Sequence, residues 1–153
     1  MHSIEKEYKF EYAHRLMNHK GDCKNIHGHS ARIKVEIFSI DINEHTGMII
    51  DFGHLGFISS YFDQKFDHTL ILNNQDPLFH LLKDSEIGKD FKIRMFQGEP
   101  TSENFARAMA YDILVGIEDK ERNILNLPVK IEKIKITFWE TAKNSATFTL
   151  KNT

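Results

Sequence analysis

With 153 residues, 41% apolar and 27% charged, the chain is built for a single globular domain over 1–153, not for a disordered or fibrous polymer. A formal net charge of −2, with both signs scattered along the chain, leaves no basic stripe for a phosphate backbone, so nucleic acid is not an expected partner. No run approaches the roughly 20 apolar residues that cross a bilayer. The start, Met1-His2-Ser3-Ile4-Glu5-Lys6, lacks the apolar stretch of a signal peptide, and the lone Cys23 can form no internal disulfide, so a cytoplasmic location is expected.

In chain order, Tyr8, Phe10 and Tyr12 recur at period two between about Ile4 and Leu16, which predicts a strand with one aromatic face. A polar, turn-rich segment (18–25) follows. Ile33, Val35 and Ile37 then alternate with Arg32, Lys34 and Glu36 in a second strand with one buried side. Leu55, Ile58, Phe62 and Phe66, at spacings of three and four, predict a helix over about 52–66. Residues 73–98 read as a long connection. Pro100-Thr101-Ser102-Glu103 supplies a hydroxyl cap and a first-turn carboxylate for a second helix carrying Ala106, Met109, Ala110, Ile113, Leu114 and Ile117. The charged run Glu118-Asp119-Lys120-Glu121-Arg122 reads as a solvated loop after it. Two further strands, about 129–140 and 146–150, complete the order ββααββ. The expected class is α+β, with the two helices on one face of an antiparallel sheet.

Nine histidines against one cysteine make imidazole the unusual part of the composition. Alternate strand residues point to one side, so His27 and His29 at the mouth of the second strand can reach one metal ion, and Gly28 removes the side chain that would crowd the backbone between them. A bare His-x-His pair also arises by chance in such a chain. His14, near the end of the first strand, adds a third nitrogen if the two strands pair as a hairpin. Three neutral nitrogens with an open fourth position is how catalytic zinc is held. The spacing equally permits Cys23 as a fourth ligand in a closed site. Cys23, flanked by Lys20 and Lys24, has the surroundings of a thiolate base, although a single cysteine is also commonly an inert small hydrophobe. Asp67-His68 is a candidate proton shuttle; adjacent side chains do not readily bond each other, so Asp67 is expected to orient a different group.

Taken together, Phe10-Glu11-Tyr12-Ala13-His14-Arg15-Leu16, Cys23-Lys24-Asn25-Ile26-His27-Gly28-His29, Gly47-Met48-Ile49-Ile50-Asp51-Phe52-Gly53, Phe66-Asp67-His68, Pro100-Thr101-Ser102-Glu103-Asn104 and Trp139-Glu140-Thr141 resemble the 6-pyruvoyl- and 6-carboxy-tetrahydropterin synthase family, in order and over nearly the whole chain. The resemblance implies the tunnelling fold, with subunits associated into a barrel and stacked as a homohexamer whose active sites lie between subunits. It implies Zn2+ on His14, His27 and His29, Cys23 as the proton-abstracting base, and Asp67 with His68 as an acid/base pair. Glu140 would grip the 2-amino and ring N–H edge of a pterin, as a bidentate acceptor suits two donors, although a glutamate ending a strand is often only solvated. Thr101 and Ser102 would add substrate hydrogen bonds, or serve as helix cap alone.

Three residues separate Cys23 from His27, as in the bacterial 6-carboxy enzymes, which implies a pterin triphosphate substrate, 7,8-dihydroneopterin triphosphate, converted with loss of acetaldehyde and triphosphate on the route to queuosine. The alternatives are the 6-pyruvoyl product and a non-catalytic zinc-binding oligomeric scaffold. Two departures from the family pattern bear on substrate preference: Tyr12 stands where a small residue is usual, which narrows the site, and Thr69-Leu70-Ile71-Leu72-Asn73 differs from the tail that follows Asp-His in some members.

Overall fold

Strand β1 (His2–His14) and strand β2 (His27–Ser39) pair antiparallel along their full lengths, with His2 opposite Ser39 at one end and His14 opposite His27 at the other. Their alternation gives the hairpin two unlike faces. Tyr8, Phe10, Tyr12, Ala31, Ile33, Val35 and Ile37 are buried on one side. The other carries cross-strand charge pairs such as Lys34 with Glu5 at 3.4 Å. A computed structural model of the chain describes residues 1–120 and 129–152.

Around this hairpin the described residues form a six-stranded sheet in the order β4-β3-β1-β2-β5-β6. Strands β5 (Lys133–Trp139) and β6 (Ser145–Lys151) extend it antiparallel on one side. Strands β3 (Thr69–Asn73) and β4 (Ile93–Phe96) extend it on the other, both running parallel to β1. The sheet is therefore mixed, which corrects the all-antiparallel expectation within the α+β class. The predicted connection over 73–98 is corrected too: it contains α2 (Pro77–Lys83), a short 3-10 turn (Ile87–Asp90) and β4. Strands of four or five residues, with both faces of β3 buried, show no alternation from which to recognise them.

The first predicted helix is a 3-10 turn (Phe52–Leu55) leading into α1 (Gly56–Lys65), and the second is α3 (Ser102–Lys120). Both lay their apolar stripes on the aromatic face of the sheet, where Phe62 and Phe66 from the α1 region and Phe105 from α3 meet Phe10, Tyr12 and Phe138. The charged run predicted as a loop is partly the last turn of α3, through Lys120; Glu121 and Arg122 lie outside the described residues. Gly116 permits the close approach of the two helices, since a Cβ there would stand 2.4 Å from the Phe57 ring. None of the described helices is long and apolar enough to cross a membrane.

One buried ion pair anchors the end of β1 to the β3–α2 connection. Arg15 donates two hydrogen bonds to the fully buried Asp76, Nε to Oδ2 at 2.7 Å and Nη2 to Oδ1 at 2.6 Å. Asp76 also caps α2 by accepting from the Leu78 amide. Burial would raise the Asp76 pKa, but the Arg15 contact and the Leu78 amide outweigh it and hold the carboxyl below its ordinary value. With the folded value below the unfolded one, the pair stabilises the fold above the unfolded carboxyl pKa of about 3.9, and that contribution is lost as the pH falls through the folded value. Asp76→Asn is expected to cost about 2 kcal/mol near neutrality, measured by denaturant melts. The gap from the unsubstituted protein should shrink as the pH is lowered below 4.

Candidate metal centre and its surroundings

Because His14 faces His27 in the β1–β2 register, and His29 lies two residues further along β2, three imidazoles converge on the helix-covered face at one end of the sheet. One ligand atom from each lies within 4.8 Å of the others, the grouping among the described residues that can hold a metal ion. The ring contacts of His14 with His27 and His29 (centroids 4.6 and 5.1 Å) show how tightly they pack.

The protonation state of the cluster follows from its partners. His14 Nδ1 donates to the carbonyl of Pro100 at 2.7 Å, and His27 Nδ1 to the carbonyl of Asn25 at 2.8 Å. A carbonyl can only accept, so both rings carry a proton on Nδ1 and turn their Nε2 atoms inward. Those two Nε2 atoms stand 3.1 Å apart. The buried Nε2 of His29 has no hydrogen-bond partner. Burial is the main cause lowering the His14 pKa to about 4, and burial first, with His27 next to it, also lowers that of His29. Three imidazoles crowded together, with a buried His29 Nε2 that has no partner, are the arrangement a bound cation would satisfy, so this donor set fits a metal ion.

The other predicted residues fall into two groups. Cys23 is half-buried in the 3-10 turn Asp22–Lys24 of the β1–β2 loop, at the triad's end of the hairpin, where its carbonyl accepts from the Leu16 amide. It is not part of the three-histidine group. Glu140, just past the end of β5, does approach the triad: its Oε1 is 3.6 Å from His14 Nε2 and 3.7 Å from His29 Nε2. With Thr101, Ser102, Leu16 and Asn144 it lines a cavity of about 300 Å3. Thr101 also caps α3, its hydroxyl accepting from the Asn104 amide.

Asp67 and His68 face elsewhere. His68 lines a second cavity, of about 480 Å3, with Glu11, Ala13, Gly28, Ser30 and Phe91. Glu11 and Ala13 alternate with the inward Tyr12 and His14, so this cavity opens on the side of the sheet without helices. The expectation that the two adjacent side chains do not bond is corrected: His68 Nδ1 donates to Asp67 Oδ2 at 2.8 Å. The left-handed backbone of His68, φ 53°, is the only positive φ at a described non-glycine residue, and it turns the ring back onto its neighbour. The Glu11 amide on Oδ1, then the His68 contact, keep the Asp67 pKa below the usual carboxylate value. The ionised carboxylate thereby holds the His68 ring by its Nδ1.

Tyr12 does not narrow the site as its bulk suggested. Its ring is buried beneath His14 and His29, and its hydroxyl donates to Glu140 Oε1 at 3.2 Å. The period-two run Tyr8, Phe10, Tyr12, His14 contained the signal for that position. Pro100 as the partner of His14 had no sequence signal, because any residue supplies a carbonyl.

The 6-pyruvoyl tetrahydropterin synthase family model matches residues 3–151. The 6-carboxy-5,6,7,8-tetrahydropterin synthase of Rickettsia felis is 31% identical over 106 residues, spanning 69% of this chain and 75% of that protein. Its counterpart from Aquifex aeolicus is 28% identical over 161 residues, 95% and 96% of the two chains. A crystal structure of an uncharacterized protein from Wolinella succinogenes superposes with a TM-score of 0.74 at 24% identity, covering 99% of this chain and 98% of that one, and so shares the fold. The extended match and the converged histidines agree, and the chain belongs to the 6-pyruvoyl tetrahydropterin synthase family of pterin-processing lyases.

Proposed function

We propose that the protein is a zinc-dependent 6-carboxy-5,6,7,8-tetrahydropterin synthase that converts 7,8-dihydroneopterin triphosphate and one water to 6-carboxytetrahydropterin, acetaldehyde and triphosphate, a step toward queuosine. The observation that carries the reading is the convergence of His14, His27 and His29, with the Nδ1 atoms of His14 and His27 turned outward onto the Pro100 and Asn25 carbonyls. The names of the Rickettsia and Aquifex relatives support the carboxy product, as does the three-residue spacing from Cys23 to His27.

The three imidazoles would hold zinc, which when bound supplies Lewis acidity toward the hydroxyls of the substrate side chain. Cys23, in the loop at the same end of the hairpin, takes the proton from the adjacent carbon. His68, oriented by Asp67, moves a proton through Nε2. Glu140 accepts from the 2-amino and ring N–H groups of the pterin, and the start of α3 at Thr101 and Ser102 borders the same cavity. Since the dyad opens on the helix-free side of the sheet, a complete site draws His68 from a neighbouring copy, and the protein works as a homo-oligomer, a hexamer in this reading.

Incubation of zinc-loaded protein with 7,8-dihydroneopterin triphosphate should release acetaldehyde, identified together with the pterin product by mass spectrometry; a 6-pyruvoyl product without acetaldehyde would contradict the carboxy assignment. Cys23→Ala is expected to lower turnover by about 10²–10⁴-fold with metal content unchanged. Loss of metal from that variant would make Cys23 a ligand and close the site. Cys23→Ala and His68→Ala proteins, each inactive alone, should regain activity when unfolded together and refolded as mixed oligomers. No recovery would place both groups of a site in one chain.

A further inference from the structure

A carboxylate, Glu140, stands beside the triad on the side where a fourth ligand would come. Four nitrogen and oxygen ligands arranged as a tetrahedron at zinc distances stand about 3.4 Å from one another. The separations here are 3.1 Å between His14 Nε2 and His27 Nε2, 3.6 Å from Glu140 Oε1 to His14 Nε2, and 3.7 Å from Glu140 Oε1 to His29 Nε2. Oε1 of Glu140 thus stands near ligand separation from two of the three imidazole nitrogens. Yet a carboxylate gripping the amino edge of a pterin, whose side chain reaches the metal, must stand a full two-ring width away from the triad. Both cannot be satisfied by one side-chain position.

Two features on either side of Glu140 account for this. The Tyr12 hydroxyl donates to Oε1 from the triad side, and the Tyr12 ring is 4% exposed, held edge-on by His14, Phe105 and Phe138. It is a rigid donor. On the other side lies the cavity bordered by Thr101, Ser102, Asn144 and Ala146, into which the side chain can swing. The backbone stays fixed because the Glu140 amide donates to the Asn144 carbonyl and closes the β5–β6 turn.

We propose that Glu140 is the fourth ligand of the metal when no substrate is bound, held there by Tyr12 as a positioning residue, and that it leaves the metal to take the pterin edge when substrate enters. The inference rests on the zinc reading of the triad. It assigns to Tyr12 the task of storing the carboxylate at the metal between turnovers.

The test is metal binding without substrate. Zinc affinity is measured by competition with a chromophoric chelator, and the visible spectrum of the cobalt(II)-substituted protein reports the ligand set. Glu140→Gln should weaken zinc about 10–100-fold and change the cobalt spectrum while stoichiometry stays at one ion per chain. Tyr12→Phe, which keeps the packing and removes only the donor, should shift both readouts in the same direction by less, and should have no further effect in the Glu140→Gln background. If both variants match the unsubstituted protein, Glu140 is no ligand and the inference fails with the metal centre intact. If only Glu140→Gln has an effect, the positioning role of Tyr12 is wrong. If the unsubstituted protein binds no zinc, or His27→Ala binds it equally well, the reading of the triad itself has failed.

Discussion

The antiparallel register that sets His14 opposite His27 is the constraint on which the rest depends. Side chains on a strand alternate, so a slip of one residue between β1 and β2 would send His27 and His29 to the helix-free face and turn Arg32 and Lys34 into the core. The buried run of Tyr8, Phe10, Tyr12, Ala31, Ile33, Val35 and Ile37 opposes that slip. Burying an aromatic or branched side chain is worth roughly 1.5–3 kcal/mol, so the core residues that fix the register also converge the histidines. The three-histidine group that can hold a metal lies at the end of the hydrophobic face and is specified by the same alternation.

That placement has an electrostatic cost which the site uses. His14 is almost fully buried, and burial favours its neutral form. The carbonyls of Pro100 and Asn25 take the two Nδ1 protons, so the Nε2 atoms of His14 and His27 meet at 3.1 Å inside the cluster. Such groups are expensive to leave unmatched in a protein interior. The Arg15–Asp76 pair belongs to the same construction, since it ties down the chain immediately after His14.

Much of this could be read from the sequence where a periodic signal was long enough. Thirteen-residue strands with clean alternation and a nineteen-residue helix revealed themselves, and the His27-Gly28-His29 spacing followed from strand geometry alone. A Cβ at Gly28 would stand 3.3 Å from the Tyr12 carbonyl oxygen, in keeping with the crowding argument made for it. Strands β3 and β4 were too short, and β3 too evenly buried, to show a period. The Asp67–His68 hydrogen bond depends on a left-handed backbone at His68, which a histidine does not advertise. The Tyr12–Glu140 contact joins residues 128 positions apart and needs the β1–β2–β5 order before it can be seen.

The central claim is that three imidazole nitrogens, and no sulfur, hold one metal ion. X-ray absorption at the zinc edge of the metal-loaded protein examines that ligand set without reference to turnover. A first shell of nitrogen and oxygen scatterers alone is expected, at about 2.0–2.1 Å, with the outer-shell pattern of imidazole. A sulfur scatterer at about 2.3 Å would place Cys23 on the metal and contradict it.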